Sequence, residues 1–135
     1  MGVVVDTSAL VDLERAEAQH DLLDGLTGSM VMPAIVLAEL LVGVRLASSR
    51  RRAVARQAQI DALRSRIPVV DFGVAVAERW ATLLAALRSS GIVVPANDLC
   101  VAATALDLGW DVLVGQRDEA HFRRVPGLGV RPLVP

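Results

Sequence analysis

Four carboxylates stand in surroundings that are otherwise apolar: Asp6, Glu39, Asp98 and Asp118. Asp6 and Asp118 each follow a short valine-rich run, whereas Glu39 and Asp98 lie within apolar stretches that have helical spacing. Carboxylates brought together in a fold repel one another unless a cation compensates their charge. A shell of carboxylate and water oxygens is what Mg²⁺ or Mn²⁺ accepts. We therefore expect one acidic pocket that holds Mg²⁺, with Mn²⁺ as the alternative ion.

Each acid also has an ordinary explanation. Asp6 can begin a turn or cap the following helix, and Asp98 can cap its own helix, where the helix dipole favours negative charge. Asp118 can be a loop acid that pairs with a neighbouring arginine, and Glu119 competes with it for the same role. One shared cation accounts for all four acids at once, which favours it over a separate explanation for each.

Glu39 belongs to the most apolar of the predicted helices. Between Pro33 and Leu46 the other charged residue is Arg45, which is six positions from Glu39 and faces elsewhere. A helix with this pattern is expected to be buried nearly all round. Burying a lone carboxylate is unfavourable unless it has a partner, which favours a role for Glu39 in the pocket. The alternative is a glutamate at a solvated helix edge.

The absence of lysine excludes several classes of enzyme. All 14 basic residues are arginine. P-loop proteins, haloacid-dehalogenase-like phosphatases and response-regulator receivers all use a lysine near the phosphoryl group, so none of these fits. No GxGxxG motif follows the first predicted strand, so dinucleotide binding is unsupported.

Composition narrows the kind of metal site and the compartment. One cysteine, Cys100, and two histidines cannot build an ordinary zinc site or an internal disulfide, so a bound metal must be held mainly by oxygen. The mean hydropathy of +0.48 suits a partner surface. The sequence contains no apolar run long enough to span a membrane and no signal-peptide pattern, so we expect a cytoplasmic protein with no membrane contact.

Strand and helix patterns alternate along the chain. Its 135 residues suit one domain, 1–135. Strands are predicted at about 3–6, 29–32, 68–71, 110–114 and 130–134, and helices from about 9 and at about 16–26, 34–47, 49–66, 73–90 and 95–108. This alternation predicts a three-layer α/β/α domain with a mainly parallel central sheet. Asp6 and Asp118 then follow the carboxyl ends of strands, where such sheets bind ligands.

The blocks that carry these acids resemble those of the PIN-domain ribonucleases, in particular the VapC-type toxins of toxin–antitoxin pairs. The resemblance spans nearly the whole chain. It rests on Val5-Asp6-Thr7-Ser8-Ala9-Leu10, Ala38-Glu39-Leu40 with Gly43, Asn97-Asp98-Leu99, and Arg117-Asp118-Glu119 with His121-Phe122. It implies a PIN-like α/β/α fold and metal-dependent hydrolysis of RNA.

The resemblance also implies roles for particular residues. Asp6, Glu39, Asp98 and Asp118 would be catalytic; the first, third and fourth would hold the metal, and Glu39 would reach it through water. Thr7 or Ser8 would support Asp6 by hydrogen bonding. The chain departs from the family pattern at two positions. Gln116 stands where relatives usually have Thr or Ser, and His121 stands where they often have Asp, which leaves His121 either near the metal or purely structural.

The resemblance implies partners as well. These are an RNA substrate, a VapB-type antitoxin whose tail lies across the pocket, and a second copy in a homodimer or toxin–antitoxin hetero-oligomer. Arg50, Arg51, Arg52 and Arg56 either contact the RNA backbone or form a solvated helix face. Two other functions stay open. One is a PIN-fold nuclease of RNA maturation or DNA flaps without an antitoxin, and the other is a non-catalytic acidic module that binds an Arg-rich peptide.

Overall fold

The computed structural model describes residues 2–15 and 29–133. Within these ranges the elements are β1 Gly2–Val5, α1 Thr7–Arg15, β2 Ser29–Pro33, α2 Ala34–Arg45, α3 Arg50–Arg66, β3 Val69–Val70, α4 Val74–Ser89, α5 Ala96–Leu108, β4 Asp111–Val114, α6 Glu119–Arg123 and β5 Val130–Pro132. The helix predicted at 16–26 and the end of the last predicted strand, at Val134, lie outside the described residues.

The strands form one five-stranded sheet in the order β3-β2-β1-β4-β5, and every pairing is parallel. The chain builds the sheet outwards from β1 to β3 on one side and then continues with β4 and β5 on the other. The order therefore reverses between β1 and β4, and open α/β sheets bind ligands outside the carboxyl ends of the strands at such a point. The predicted parallel α/β fold is confirmed.

The central strands are apolar because both of their faces are covered. Val3, Val4 and Val5 of β1 are buried, as are Val112 and Leu113 of β4. Helix α5 packs against β1, β2 and β4, and α1 packs against β4. Continuous β-branched runs of this kind are typical of parallel strands with helices on both sides. The strand ends thus lie next to a buried apolar core.

Helix ends follow the capping residues of the sequence. Ser49 caps α3 by accepting a hydrogen bond from the backbone N–H of Arg52 (3.2 Å). Pro33 and Pro95 lie directly before α2 and α5. Gly109 ends α5 in the left-handed region with φ 71°, as glycine does at a helix C-terminus.

The expected burial of α2 is wrong. In α2, which was predicted to be buried nearly all round, Val36 is buried but Val42 is 53% exposed, because the helix packs on one side and leaves the other open. In α3, Ile60 is buried and Val54 is 60% exposed. Both helices thus present apolar side chains on the surface.

Helix α6 is a short turn of helix inside a segment that was predicted to be a loop. No helix in the described part of the chain is long and apolar enough to cross a membrane.

Candidate active site

Asp6 lies at the carboxyl end of β1. Its backbone N–H donates to the carbonyl of Leu113 (3.0 Å), which continues the β1–β4 pairing by one residue. Its side chain is 1% exposed and accepts hydrogen bonds at Oδ2 from the Ser8 backbone N–H (3.1 Å) and the Ser8 hydroxyl (2.5 Å). Asp6 therefore caps α1 from the carboxyl end of β1, so its interpretation as a helix-capping residue is confirmed.

Ser8 also connects the two strand ends. Its hydroxyl oxygen accepts a hydrogen bond from the backbone N–H of Gly115, directly after β4 (2.9 Å). The next N–H, of Gln116, donates to Oδ2 of Asp12 on α1 (3.1 Å). A side chain at position 115 would overlap the Asp12 carboxylate and the Ser8 carbonyl, so only glycine fits there. These bonds fix the loop that carries Asp118 against α1.

Sequence analysis did not identify Asp12. It lies four residues after Ser8, on the same face of α1, and that spacing is the pattern that could have revealed it.

Asp98 lies in the first turn of α5 and is 8% exposed. Its Oδ2 is 2.7 Å from Nδ1 of His121. This burial agrees with the place of Asp98 in an apolar stretch of helical spacing.

Asp118 precedes α6, and its side chain does not cap that helix. Its Oδ1 is 3.7 Å from Nδ1 of His121 and 3.6 Å from the exposed Arg117. Glu119, the competing acid, instead pairs with Arg123 (2.8 Å). The structure thus brings Asp118 into the group with Asp98, and the predicted pairing of Asp118 with a neighbouring arginine also holds.

Glu39 is half-buried on α2, and its partner comes from another element. Its Oε1 accepts a hydrogen bond from the hydroxyl of Thr7 (3.0 Å). Of the two hydroxyl residues expected to support Asp6, Ser8 does so and Thr7 supports Glu39. The expected burial of α2 is therefore not what places Glu39 at the site. The charge of Glu39 does lie close enough to Asp98 to raise the pKa of the Asp98 carboxyl.

The carboxylates repel one another in a poorly solvated pocket. Burial raises the pKa of Asp6 from 3.8 to about 7; the Ser8 hydrogen bonds oppose this, and the charges of Asp98 and Asp118 add to it. Burial also raises the pKa of Asp98, against the hydrogen bond from His121, and the neighbouring Asp118 and Glu39 raise it further. A divalent cation would reverse this repulsion.

Three side chains are close enough to share one ion. A ligand atom from each of Asp98, Asp118 and His121 lies within 4.8 Å of the other two. The sequence predicted Asp6, Asp98 and Asp118 instead. Two carboxylates and an imidazole, with two more carboxylates nearby, suit a divalent cation, so the residues present fit a metal centre.

Comparison with known proteins agrees with this geometry. The family model of the PIN domain matches residues 3–128. The chain belongs to the PIN-domain family. Among its PIN-domain relatives, Ribonuclease VapC4 of Mycobacterium tuberculosis is 32% identical over 87% of this chain and 88% of its own length. Ribonuclease VapC1 of Rickettsia felis is 28% identical over 96% of this chain and 95% of its own length.

Solved structures with the same PIN-domain fold come from toxin–antitoxin complexes. VapBC2 from Rickettsia felis, bound to a DNA fragment from its promoter, superimposes with a TM-score of 0.84 at 24% identity and covers 98% of both chains. VapBC-5 from Mycobacterium tuberculosis gives a TM-score of 0.75 at 25% identity, over 99% of this chain and 98% of that one.

Proposed function

We propose that this chain is a metal-dependent endoribonuclease and the toxin of a VapBC-type toxin–antitoxin pair, acting in the cytoplasm. The observation that carries the proposal is the convergence of Asp6, Asp98 and Asp118 at the point where the strand order reverses, where burial and neighbouring charges raise the pKa of the Asp6 and Asp98 carboxyls. The VapC ribonucleases among its relatives support RNA as the substrate.

In this proposal Asp6, Glu39, Asp98 and Asp118 are the catalytic residues. Asp98 and Asp118 would hold Mg²⁺ or Mn²⁺, with Asp6 beside them and Glu39 acting through water. Such an ion, when bound, lowers the pKa of a coordinated water and neutralises charge on the phosphate. Glu39, held by Thr7 at Oε1, would accept the proton of the attacking water. Ser8 would keep Asp6 oriented towards the crevice.

Exposed arginines on α3 would contact the RNA backbone. Arg50, Arg51, Arg52 and Arg56 are all exposed, and Arg56 donates to the carbonyl of Gly43 on α2 (2.6 Å). Phosphate contacts of this kind supply affinity that falls with salt. We expect the affinity for RNA to weaken as salt is raised.

An antitoxin segment would bind in the cleft that begins at Thr7 and Glu39. The cleft has a volume of about 750 Å³ and continues between α1, α2 and α3. Its walls are mixed: Leu10, Leu40 and Ile60 are apolar, while other lining residues are charged. Such a surface fits an amphipathic helix. Relatives solved as VapBC complexes support an antitoxin as its occupant.

A second copy of the chain would cover the open apolar face of α2 and α3. Val42 and Val54 on these helices, and Leu46 directly after α2, are exposed.

Co-expression with the product of an adjacent small gene should give a complex that survives gel filtration. Recovery of a monomer alone from that co-expression would contradict the toxin–antitoxin assignment.

The test of the catalytic proposal is the variant Asp98→Asn. We expect the wild-type chain to cut RNA with Mg²⁺ or Mn²⁺ and to stop when a chelator is added. Asp98→Asn should lose at least about a hundredfold in rate. Asp107→Asn, an exposed acid on the same helix, is the matched control and should cut normally. A folded Asp98→Asn variant with wild-type activity would remove the mechanism.

The same assay separates the competing functions. A binding module for an Arg-rich peptide would bind its peptide without metal and cut nothing. A flap nuclease would cut branched DNA in preference to RNA.

A further inference from the structure

His121 places an imidazole nitrogen between two of the carboxylates of the proposed metal centre. Its Nδ1 is 2.7 Å from Oδ2 of Asp98 and 3.7 Å from Oδ1 of Asp118. The side chains of the two acids are 11% and 13% exposed and that of His121 is 34% exposed, so the imidazole lies at the rim of the pocket.

The fold holds this imidazole in place. Asp118 and His121 are three residues apart at the start of α6, so one helical turn places both side chains on the same side. The next residue, Phe122, is fully buried in the core and anchors the turn. His121 is therefore a positioned group at the site.

Asp6, by contrast, has Oδ2 engaged by two hydrogen bonds from Ser8 and lies outside the group of three close ligand atoms. In that group, the nitrogen of His121 stands in place of the Asp6 carboxylate that the sequence predicted.

We infer that Nδ1 of His121 binds the divalent cation directly, together with Asp98 and Asp118, and that the centre therefore prefers Mn²⁺ to Mg²⁺. This inference rests on the proposed metal-dependent function. Mg²⁺ is a hard ion that favours oxygen ligands, whereas imidazole is a ligand of transition metals. Nδ1 would bind the ion through its lone pair, so the imidazole would then carry its N–H at Nε2.

The decisive measurement is pulsed electron paramagnetic resonance of Mn²⁺ bound to the full chain, prepared without a histidine tag. A directly bound imidazole gives a ¹⁴N coupling to the manganese, and ¹⁵N-labelled histidine changes that coupling in a characteristic way. We expect the coupling in the wild type and in His20→Asn, which replaces the one other histidine of the sequence. We expect its loss in His121→Asn.

Affinity provides a second readout. Loss of the nitrogen ligand should weaken Mn²⁺ binding by about tenfold or more, by analogy with outer-shell changes that cost about 10- to 100-fold. His121→Asp restores an all-oxygen shell and should lower the ratio of Mn²⁺ to Mg²⁺ affinity relative to the wild type. Titration calorimetry of the folded variants measures both constants.

The outcomes distinguish a failure of the His121 inference from a failure of the proposed metal-dependent function. Saturable Mn²⁺ binding without nitrogen coupling in the wild type would overturn the role of His121 and leave the metal-dependent nuclease standing. Absence of saturable Mn²⁺ binding at millimolar concentration would overturn both. The isotope-labelled wild-type measurement needs no variant, so a failure of His121→Asn to fold does not affect it.

Discussion

Replacing Asp6 by asparagine should stabilise the metal-free protein while it abolishes activity. The pKa of Asp6 rises from 3.8 to about 7 on folding, so the folded chain keeps a proton that the unfolded chain releases. Its contribution to the free energy of unfolding is therefore present at low pH and is lost as pH rises through about 7. Between these values the loss is about 1.4 kcal/mol per pH unit, or on the order of 4 kcal/mol in total.

Asparagine removes the charge and keeps an oxygen that can accept from Ser8. The neutral acceptor is weaker than a carboxylate, which costs about 1 kcal/mol. We therefore expect Asp6→Asn to be about 2–3 kcal/mol more stable than the wild type at pH 8 and nearly equal to it at pH 4.5. Mn²⁺ at 100 times the wild-type dissociation constant stabilises the wild type by about 2.7 kcal/mol. We expect the ion to narrow the difference in stability, because the variant lacks the Asp6 charge beside the ion.

The assay is urea unfolding at a fixed protein concentration, followed by tryptophan fluorescence, in chelator and then in Mn²⁺. Measurements from pH 4.5 to 8 compare the wild type, Asp6→Asn and Asp71→Asn, a control that replaces an exposed acid. The difference between the wild-type and Asp6→Asn curves reports Asp6 together with its electrostatic coupling to Asp98 and Asp118, and the Asp71→Asn curve shows the effect of removing an exposed acid. If the difference between Asp6→Asn and the wild type does not change with pH, the argument that burial and neighbouring charges raise the pKa of Asp6 is wrong.

Two further predictions concern the groups around the pocket. Gly115→Ala should destabilise the fold by about 1–3 kcal/mol in urea unfolding, because a Cβ there overlaps the Asp12 carboxylate; Gly43→Ala, where there is open space, should be neutral or stabilising. Thr7→Val removes the hydroxyl that holds Glu39 and should lower kcat by about tenfold, with Mn²⁺ affinity within about twofold of wild type. Equal loss of both quantities would instead place Thr7 in metal binding.

The strands and long helices could be predicted because their patterns are local. The valine run before Asp6 indicates a strand covered on both faces, and β1 has that environment. The predicted ranges 34–47, 49–66 and 95–108 agree closely with α2, α3 and α5, which have proline or serine directly before them, and α5 has Gly109 directly after it. Helix α6 was missed because five residues are too few to show a helical period.

The exposure of α2 could not be predicted in the same way. Apolar composition indicates that a helix face prefers to leave water, but it does not say whether the covering surface belongs to the same chain. Val36 is covered within this chain, whereas Val42 is not. The apolar sequence of α2 therefore supports an intermolecular surface as much as a buried core, and the argument for Glu39 from its burial failed for that reason.

The candidate metal ligands show a second limit of prediction from sequence. Sequence position places Asp6 and Asp118 at adjacent strand ends, and the structure has them there. It does not say how each side chain divides its oxygens between local capping and the pocket. Asp6 gives Oδ2 to Ser8, whereas Asp118 caps nothing with its side chain, and the turn after it brings His121 beside Asp98. Because that division depends on hydrogen bonds between α1 and the loop after β4, only the folded chain reveals which three groups can meet on one ion.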